Sequence, residues 1–373
     1  MTTGTTGTTD VPEPPGPTST APGSVLGPGS PTSGLRRRRL FGLAGLTVLL
    51  AVGFLLSLAY GSRVIPNDVL FDALRQLPSA LGSDQIDDPD LQVIAELRFP
   101  RTLIGIVVGA ALGVAGALIQ GHTRNPLADP GILGISAGAS LAVVTSYALF
   151  NVTGTGATAA WAFGGAMAAT FVVFGLASVG GGNVHPLTLI LGGAALNAVL
   201  QAVISALVLT DENNLDRMRF WTVGSVAGRD MGVFWGVLPV IVVGLLLAFA
   251  TGPQLNLLNL GDDVASALGV NTRVARFTGM VVIALLAASA TAAAGPVAFL
   301  GLVVPHLVRS ITGPDYRWIL PYSALGGATL LIYADVLGRL VARPGELQVG
   351  IVLAFVGAPL FIYMLVRRKV VQL

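Results

Sequence analysis

The sequence predicts an all-α polytopic membrane protein with about ten transmembrane helices. Three observations carry that prediction. Hydrophobic residues make up 53% of the 373-residue chain and charged residues 11%, with a mean hydropathy of +0.77. Soluble domains carry about 25% charged residues, so the polar surface here is too small to cover a water-soluble globule. Charged residues are also missing over long stretches, including the whole of 130–210. Finally, many of the 48 glycines lie inside apolar runs, where small residues let membrane helices approach closely. The same composition excludes an ordinary cytosolic enzyme, and a net charge of +2 without a basic patch excludes a nucleic-acid binder.

Residues 1–35 differ in kind: Thr, Gly, Pro and Ser dominate, without an aromatic residue. Such a segment cannot bury enough apolar area to offset its ordering entropy, and it is expected to be a disordered cytoplasmic tail. It lacks the charged start and short apolar core of a signal peptide. Residues 36–373 are expected to form one transmembrane domain. Arg36–Arg39 precede an apolar segment over 40–60, long enough to cross about 30 Å of hydrocarbon at roughly 20 residues per crossing. Further crossings are expected at about 102–120, 132–150, 158–180, 188–210, 231–251, 274–294, 297–312, 318–337 and 347–366. Gly295–Pro296 interrupts one charge-free run, so two shorter helices are expected there instead of one.

An even count puts both termini on one side, and the positive-inside rule favours the cytoplasm. That arrangement places twelve of the 21 basic residues and six of the 19 acidic ones inside, net +6 against −4 outside. The inverted arrangement fits worse.

Several chemistries are excluded. Cys is absent, which removes disulfides, thiolate nucleophiles and Cys-type metal sites. The one lysine, Lys369, lies in RRKVVQL, so there is no GxxxxGK[ST] phosphate loop and no ATP site of that kind. His122, His185 and His306 are scattered, and no metal site is expected. No hydrolase triad is visible. The hydrocarbon-depth sequence mostly avoids carboxylates, which cost about 2.5–3.5 kcal/mol at mid-bilayer on insertion scales. Ion-driven transporters often accept that cost to carry protons or sodium, so the drive for transport here is expected to come from elsewhere.

The informative segments lie at helix ends. RFPRTLIGIVVGAALGVAGALIQGHTRNPLADPGILGISAGA over 98–139, LILGGAALN at 189–197, WTVGS at 221–225 and LNLLNLGDDVASALGV at 255–270 stand in order. GPVAFLGLVVPHLVR at 295–309, ADVLGR at 334–339 and GAPLFIYML at 357–365 follow. Together these blocks, spread over 40–368, resemble the FecCD family of ABC-importer permeases, whose members import ferric siderophores, haem or cobalamin. One departure is ELQVG at 346–350, where the family usually has Pro in place of Gln348.

The resemblance implies a FecCD-type permease of ten helices in a bacterial cytoplasmic membrane. It implies pairing with a second permease subunit, identical or paralogous, around a central path. Two ATPase subunits would sit on the cytoplasmic side, and an extracytoplasmic binding protein would deliver the ligand. No cofactor belongs to this chain; ATP is used by the partner ATPase, and this chain is a transporter subunit, not an enzyme. Ferric siderophores are the favoured cargo over haem and cobalamin. A secondary transporter is the alternative class, with a membrane-embedded enzyme a distant third.

The resemblance also implies three sets of site residues. Arg98, Arg101 and Arg339 would dock carboxylates of the binding protein, their planar forks suiting Glu or Asp. The alternatives are snorkelling anchors and, for Arg339, a helical ion pair with Asp335 four residues earlier. Leu257, Leu258, Gly261, Asp262, Ala265, Leu268 and Gly269 would couple to the ATPase as short helices joined by a glycine turn; the alternative is an ordinary surface loop. Gly192, Gly193, Ala194 and Asn197 would give a narrow, weakly polar face to the translocation path, with close helix packing as the alternative.

Overall fold

Ten apolar helices occupy the ten segments expected from the charge map. The computed structural model describes residues 1–4, 31–80, 86–178, 186–209 and 211–366. In chain order the first elements are α1 (Pro31–Ala59), α2 (Asn67–Ala80), α3 (Pro89–Gln92), a π-helical turn (Val93–Arg98), α4 (Phe99–Thr123), a 3-10 turn (Pro130–Leu133) and α5 (Ile135–Phe150). There follow α6 (Thr155–Ser178), α7 (Pro186–Leu209), α8 (Glu212–Thr222), α9 (Met231–Leu258) and α10 (Asp262–Ala267). The last are α11 (Thr272–Ala294), α12 (Leu300–Thr312), α13 (Tyr316–Val341) and α14 (Val349–Val366). Seven of these helices are long and apolar enough to cross a membrane, and α5, α12 and α14 add three shorter apolar ones. No strand occurs among the described residues. In lipid the backbone must satisfy its own hydrogen bonds, which selects helices for such segments.

Most of the expected tail lies outside the described residues; of its last part, Pro31 onward is already helical in α1. Carboxylate and amide side chains cap the helices that begin at polar loops. Asp211, Asp230, Asn271 and Asp315 accept backbone N–H groups at the starts of α8, α9, α11 and α13. Gln348 sits where Pro was expected, and α14 still begins there, the Gln348 carbonyl accepting the Ile351 amide at 3.0 Å.

α4 runs through the middle of the bundle, packed on α13, α11, α12 and α9. The approach is close because glycine meets glycine. A Cβ on Gly109 would strike the Gly327 carbonyl of α13, and one on Gly116 would strike the Gly301 carbonyl of α12. Small residues four apart are the packing device of membrane helices.

Side-chain contacts show which helix ends share a face. The start of α1 meets the end of α12 and the start of α13 through Arg39, Thr312 and Asp315. The ends of α4 and α9 join the same near face through Arg124, Asn256 and Asp262. On the far face the end of α1 meets α4 and α13, Thr155 meets Asp230, and Gly224 meets Gly350. The helices therefore alternate in direction, as ten crossings require. α12, at 13 residues, is about 20 Å long and covers part of the thickness; the loop from Gly295 to Phe299 covers the rest. The break falls at Gly295–Pro296 as expected, but of the two helices expected to be shorter only α12 is, since α11 runs 23 residues.

The far face carries an element that hydropathy did not reveal. α2 turns Leu70, Ala73 and Leu77 inward to form a small second core with Leu58, Ile65 and Ile94.

Candidate functional site

At the far face, a buried ion network joins α1, α4, α13 and the loop before α14. The Arg98 guanidinium donates to the carbonyls of Leu58, Ala59 and Arg63, each at 2.7 Å. The first two belong to the last turn of α1, whose carbonyls have no helical partner and carry partial negative charge. Arg339 donates to the carbonyls of Ser57 at 2.9 Å and Tyr60 at 3.0 Å and to Ser57 Oγ at 2.7 Å. It also pairs with Asp335 at 2.8 Å. Arg101 grips the same Asp335 with Nε at 3.0 Å and Nη2 at 2.7 Å, and reaches Glu346 with Nη1 at 2.7 Å. Ser62 Oγ donates to the other Glu346 oxygen at 2.8 Å. Partial burial works against the Glu346 carboxylate, but the charge and hydrogen bond of Arg101 prevail and hold its pKa below the ordinary range.

These contacts correct the expectation of arginines presented at the surface. Arg98, Arg101 and Arg339 share one face, but they are 4%, 8% and 1% exposed and turned inward. Each donor fork is committed to the chain's own carbonyls and carboxylates. Nor are they snorkelling anchors, since their heads do not reach outward. The helical ion pair Arg339–Asp335 is present.

The near face carries the loop between α9 and α11. Leu258 is buried at the end of α9 and Leu257 half-buried beside it. The turn that follows has φ +117° at Gly261, a conformation glycine adopts at little cost. Asp262 then opens α10 and receives Arg124 and, at 2.9 Å, Arg276. Arg124 ends α4 and Arg276 lies in the first turns of α11, so one carboxylate ties the loop to two long helices. Partial burial opposes the charged form of Asp262, yet the hydrogen bond and charge of Arg276, with Arg124, leave its pKa lowered. Ala265 is fully buried, and Gly269 closes the loop with φ +84°. Leu260, Val264 and Leu268, spaced four apart, are 62%, 45% and 59% exposed. The glycine turn is where the sequence placed it. Arg124 and Arg276 were read only as inner charges, although their places at helix ends beside the acidic pair of Asp262 and Asp263 were a usable signal.

The path residues on α7 divide. A Cβ on Gly193 would collide with the Ile132 carbonyl, so that glycine is a packing position against the 3-10 turn. Gly192 has open space around it, and Ala194 and Asn197 are exposed. Gln201 and Ser205, missed in the sequence, continue the Asn197 row at four-residue spacing on the exposed side of α7. Residues 125–134 fold back into the bundle. Asp129, expected in an inner loop, lines a cavity of about 320 Å³ with Leu112, Ser136, Thr291 and Gly301. Its Oδ1 accepts the Gly131 amide at 2.8 Å. No group of three or more metal-ligating side chains occurs among the described residues.

The FecCD transport family matches residues 49–367, nearly the whole helical bundle. The chain belongs to that family. FecCD relatives similar to it include the ferric enterobactin transport system permease protein FepD of Escherichia coli (strain K12). That relative is 43% identical over 332 residues, covering 89% of this chain and 96% of FepD. The hemin transport system permease protein HmuU of Yersinia pestis is 39% identical, covering 78% of this chain and 87% of HmuU. A solved structure described as an inward-facing conformation of a metal-chelate type ABC transporter superposes with a TM-score of 0.73 at 28% identity. It covers 87% of this chain and 98% of its own. The FecCD assignment carries the bundle, the even crossing count and the absence of a phosphate-binding loop in a single frame.

Proposed function

We propose that this FecCD permease is the membrane subunit of an ABC importer that moves ferric-siderophore complexes into a bacterial cell, with ATP hydrolysed by a separate subunit. The observation that carries the reading is the near-complete match to a ferric enterobactin permease, at 43% identity. Haem and cobalamin permeases are also among the relatives, so iron chelate is the broader class and ferric siderophore the finer reading within it. A second permease copy or paralogue, two ATPases and an extracytoplasmic binding protein complete the assembly. Both termini lie in the cytoplasm.

Coupling is mechanical in this reading. The near-face loop offers Leu260, Val264 and Leu268 to an ATPase groove, while Asp262 hands the resulting displacement to α4 and α11 through Arg124 and Arg276. On the far face the buried arginine network sets the shape against which the binding protein docks. The exposed row Ala194, Asn197, Gln201 and Ser205 lines the path, where weak polarity lets a large chelate slide without being held.

The test is reconstitution with the ATPase and binding protein. Gly261→Val, which forces a β-branched residue into a positive-φ turn, and Leu268→Arg are both expected to insert normally. Both should lose chelate-stimulated ATP hydrolysis by at least tenfold. Undiminished stimulated hydrolysis in both variants would reduce the loop to a surface connection.

A further inference from the structure

Apart from the cavity at Asp129, the bundle has an apolar concavity open at its side. α1, α12 and α13 enclose an apolar groove of about 490 Å³ in the near-face half of the bundle, lined by Gly42, Gly45, Leu49, Leu307, Ile311 and Tyr333 among others. Glycines make the groove. A Cβ at Gly42 would run into the Tyr322 hydroxyl, but a Cβ at Gly45 meets nothing within 4 Å. The rim residues Leu49, Leu307 and Ile311 are exposed, so the groove opens at the side of the bundle.

Its near-face end is basic. Arg38, Gly42, Gly45 and Leu49 follow a 4-3-4 spacing and therefore share one stripe of α1. Arg38 lies about one turn before Gly42 on that stripe, with Arg36 and Arg37 preceding it in the chain, all three exposed. Among the described residues no carboxylate pairs with these three, and the Arg37 contact is the ring of Phe41. Arg39 and the neighbouring acid Asp315 pair with each other at 4.0 Å; Arg39 also donates to the Thr312 carbonyl and lies over Trp318, and Asp315 accepts from Asn256 at 2.7 Å. An apolar slot the width of missing side chains, ending at unpaired arginines at the membrane surface, has the complementarity of one molecule class. Juxtamembrane basic clusters attract anionic lipid headgroups, and the slot suits an acyl chain.

We propose that the groove between α1, α12 and α13 binds an anionic phospholipid, one acyl chain in the slot and the phosphate at Arg38 with Arg36 and Arg37. The bound lipid seats α1 against α12 and α13, where small residues leave the helices without side chains to fill the gap.

Native mass spectrometry of the full chain in mild detergent tests this with three probes: dioleoyl phosphatidylglycerol, dioleoyl phosphatidylcholine and the soluble headgroup glycerophosphoglycerol. Phosphatidylglycerol should be retained at least fivefold more tightly than phosphatidylcholine, and the soluble headgroup should not compete. Gly45→Phe projects a side chain into the space where a Cβ meets nothing within 4 Å and should abolish the retained lipid, with Gly45→Leu behaving alike. Helix content and gel filtration should show both variants folded. Joint Arg36→Gln, Arg37→Gln and Arg38→Gln substitution should lower phosphatidylglycerol retention to the phosphatidylcholine level. Equal retention of the two lipids by the unaltered chain, or unchanged phosphatidylglycerol retention in folded Gly45→Phe, would overturn the proposal. So would a gain of lipid on removing residues 1–30, which would make the N-terminal segment the occupant.

Discussion

Asp335 receives two guanidinium groups while 1% exposed, and that single carboxylate decides how the far face is built. Removing both partners of a buried charge costs about 3–5 kcal/mol, whereas removing one of two leaves it compensated. Arg339→Met leaves Asp335 held by Arg101 but strips the Ser57 and Tyr60 carbonyls of their donor, so the unfolding free energy of the detergent-purified protein is expected to fall by about 1–3 kcal/mol, read as a lower thermal midpoint. Joining it with Asp335→Leu should cost more, because Arg101 then loses its buried carboxylate, and a double-mutant cycle measures the coupling. A free surface arginine would instead shift stability by about 0.5 kcal/mol or less, and that result would return Arg339 to a docking role. The Arg339–Asp335 pair was legible in the sequence because four-residue spacing is local. The grip of Arg101 on Asp335 spans 234 positions, and Arg98 is held by backbone carbonyls that no residue pattern marks. Such partners exist only once the helices have assembled.

Elements were more legible than contacts. Runs without charge marked the apolar helices, and Gly261 and Gly269 marked the turns around α10, because both signals act within a few residues. The fold-back of 125–134 was not legible, since Asp129 reads as a loop charge until α4, α11 and α12 wall its cavity. α2 was missed for a related reason: its apolar stripe is short and partners Ile94 and Leu58 at a distance in the chain. At this scale the ion pairs of Asp262 predict a pH response. Its pKa is lowered in the fold, from about 3.9 unfolded, so the contribution is fully present above the unfolded value. It is lost as pH falls through the depressed folded value. Protection factors for the Ala265 and Val270 amides are expected to hold from pH 7 to 5 and drop below about pH 4. Asp262→Asn should show the lowered protection already at neutral pH. Equal protection in the variant would mean that Arg124 and Arg276 do not order the loop.

For the whole molecule, alternation of ten helices places α8 and α10 on opposite faces. The chain has no native cysteine, so single cysteines report topology without background. Asn213→Cys, on the exposed surface of α8, should react with an impermeant thiol reagent in intact cells, whereas Ser266→Cys in α10 should react only after permeabilisation. Labelling of Ser266→Cys from outside would invert the orientation and remove the loop from any cytoplasmic ATPase.

The proposed role rests on energy arriving through that loop from a separate subunit, and transport in proteoliposomes tests it most directly. The permease is reconstituted with its ATPase and binding protein, ion gradients are collapsed with ionophores, and a ferric siderophore is supplied on the binding-protein side. Uptake should proceed with ATP present on the ATPase side, stop without ATP, and ignore the ionophores. Uptake that continues without ATP and vanishes with the ionophores would contradict the account and identify a gradient-driven transporter.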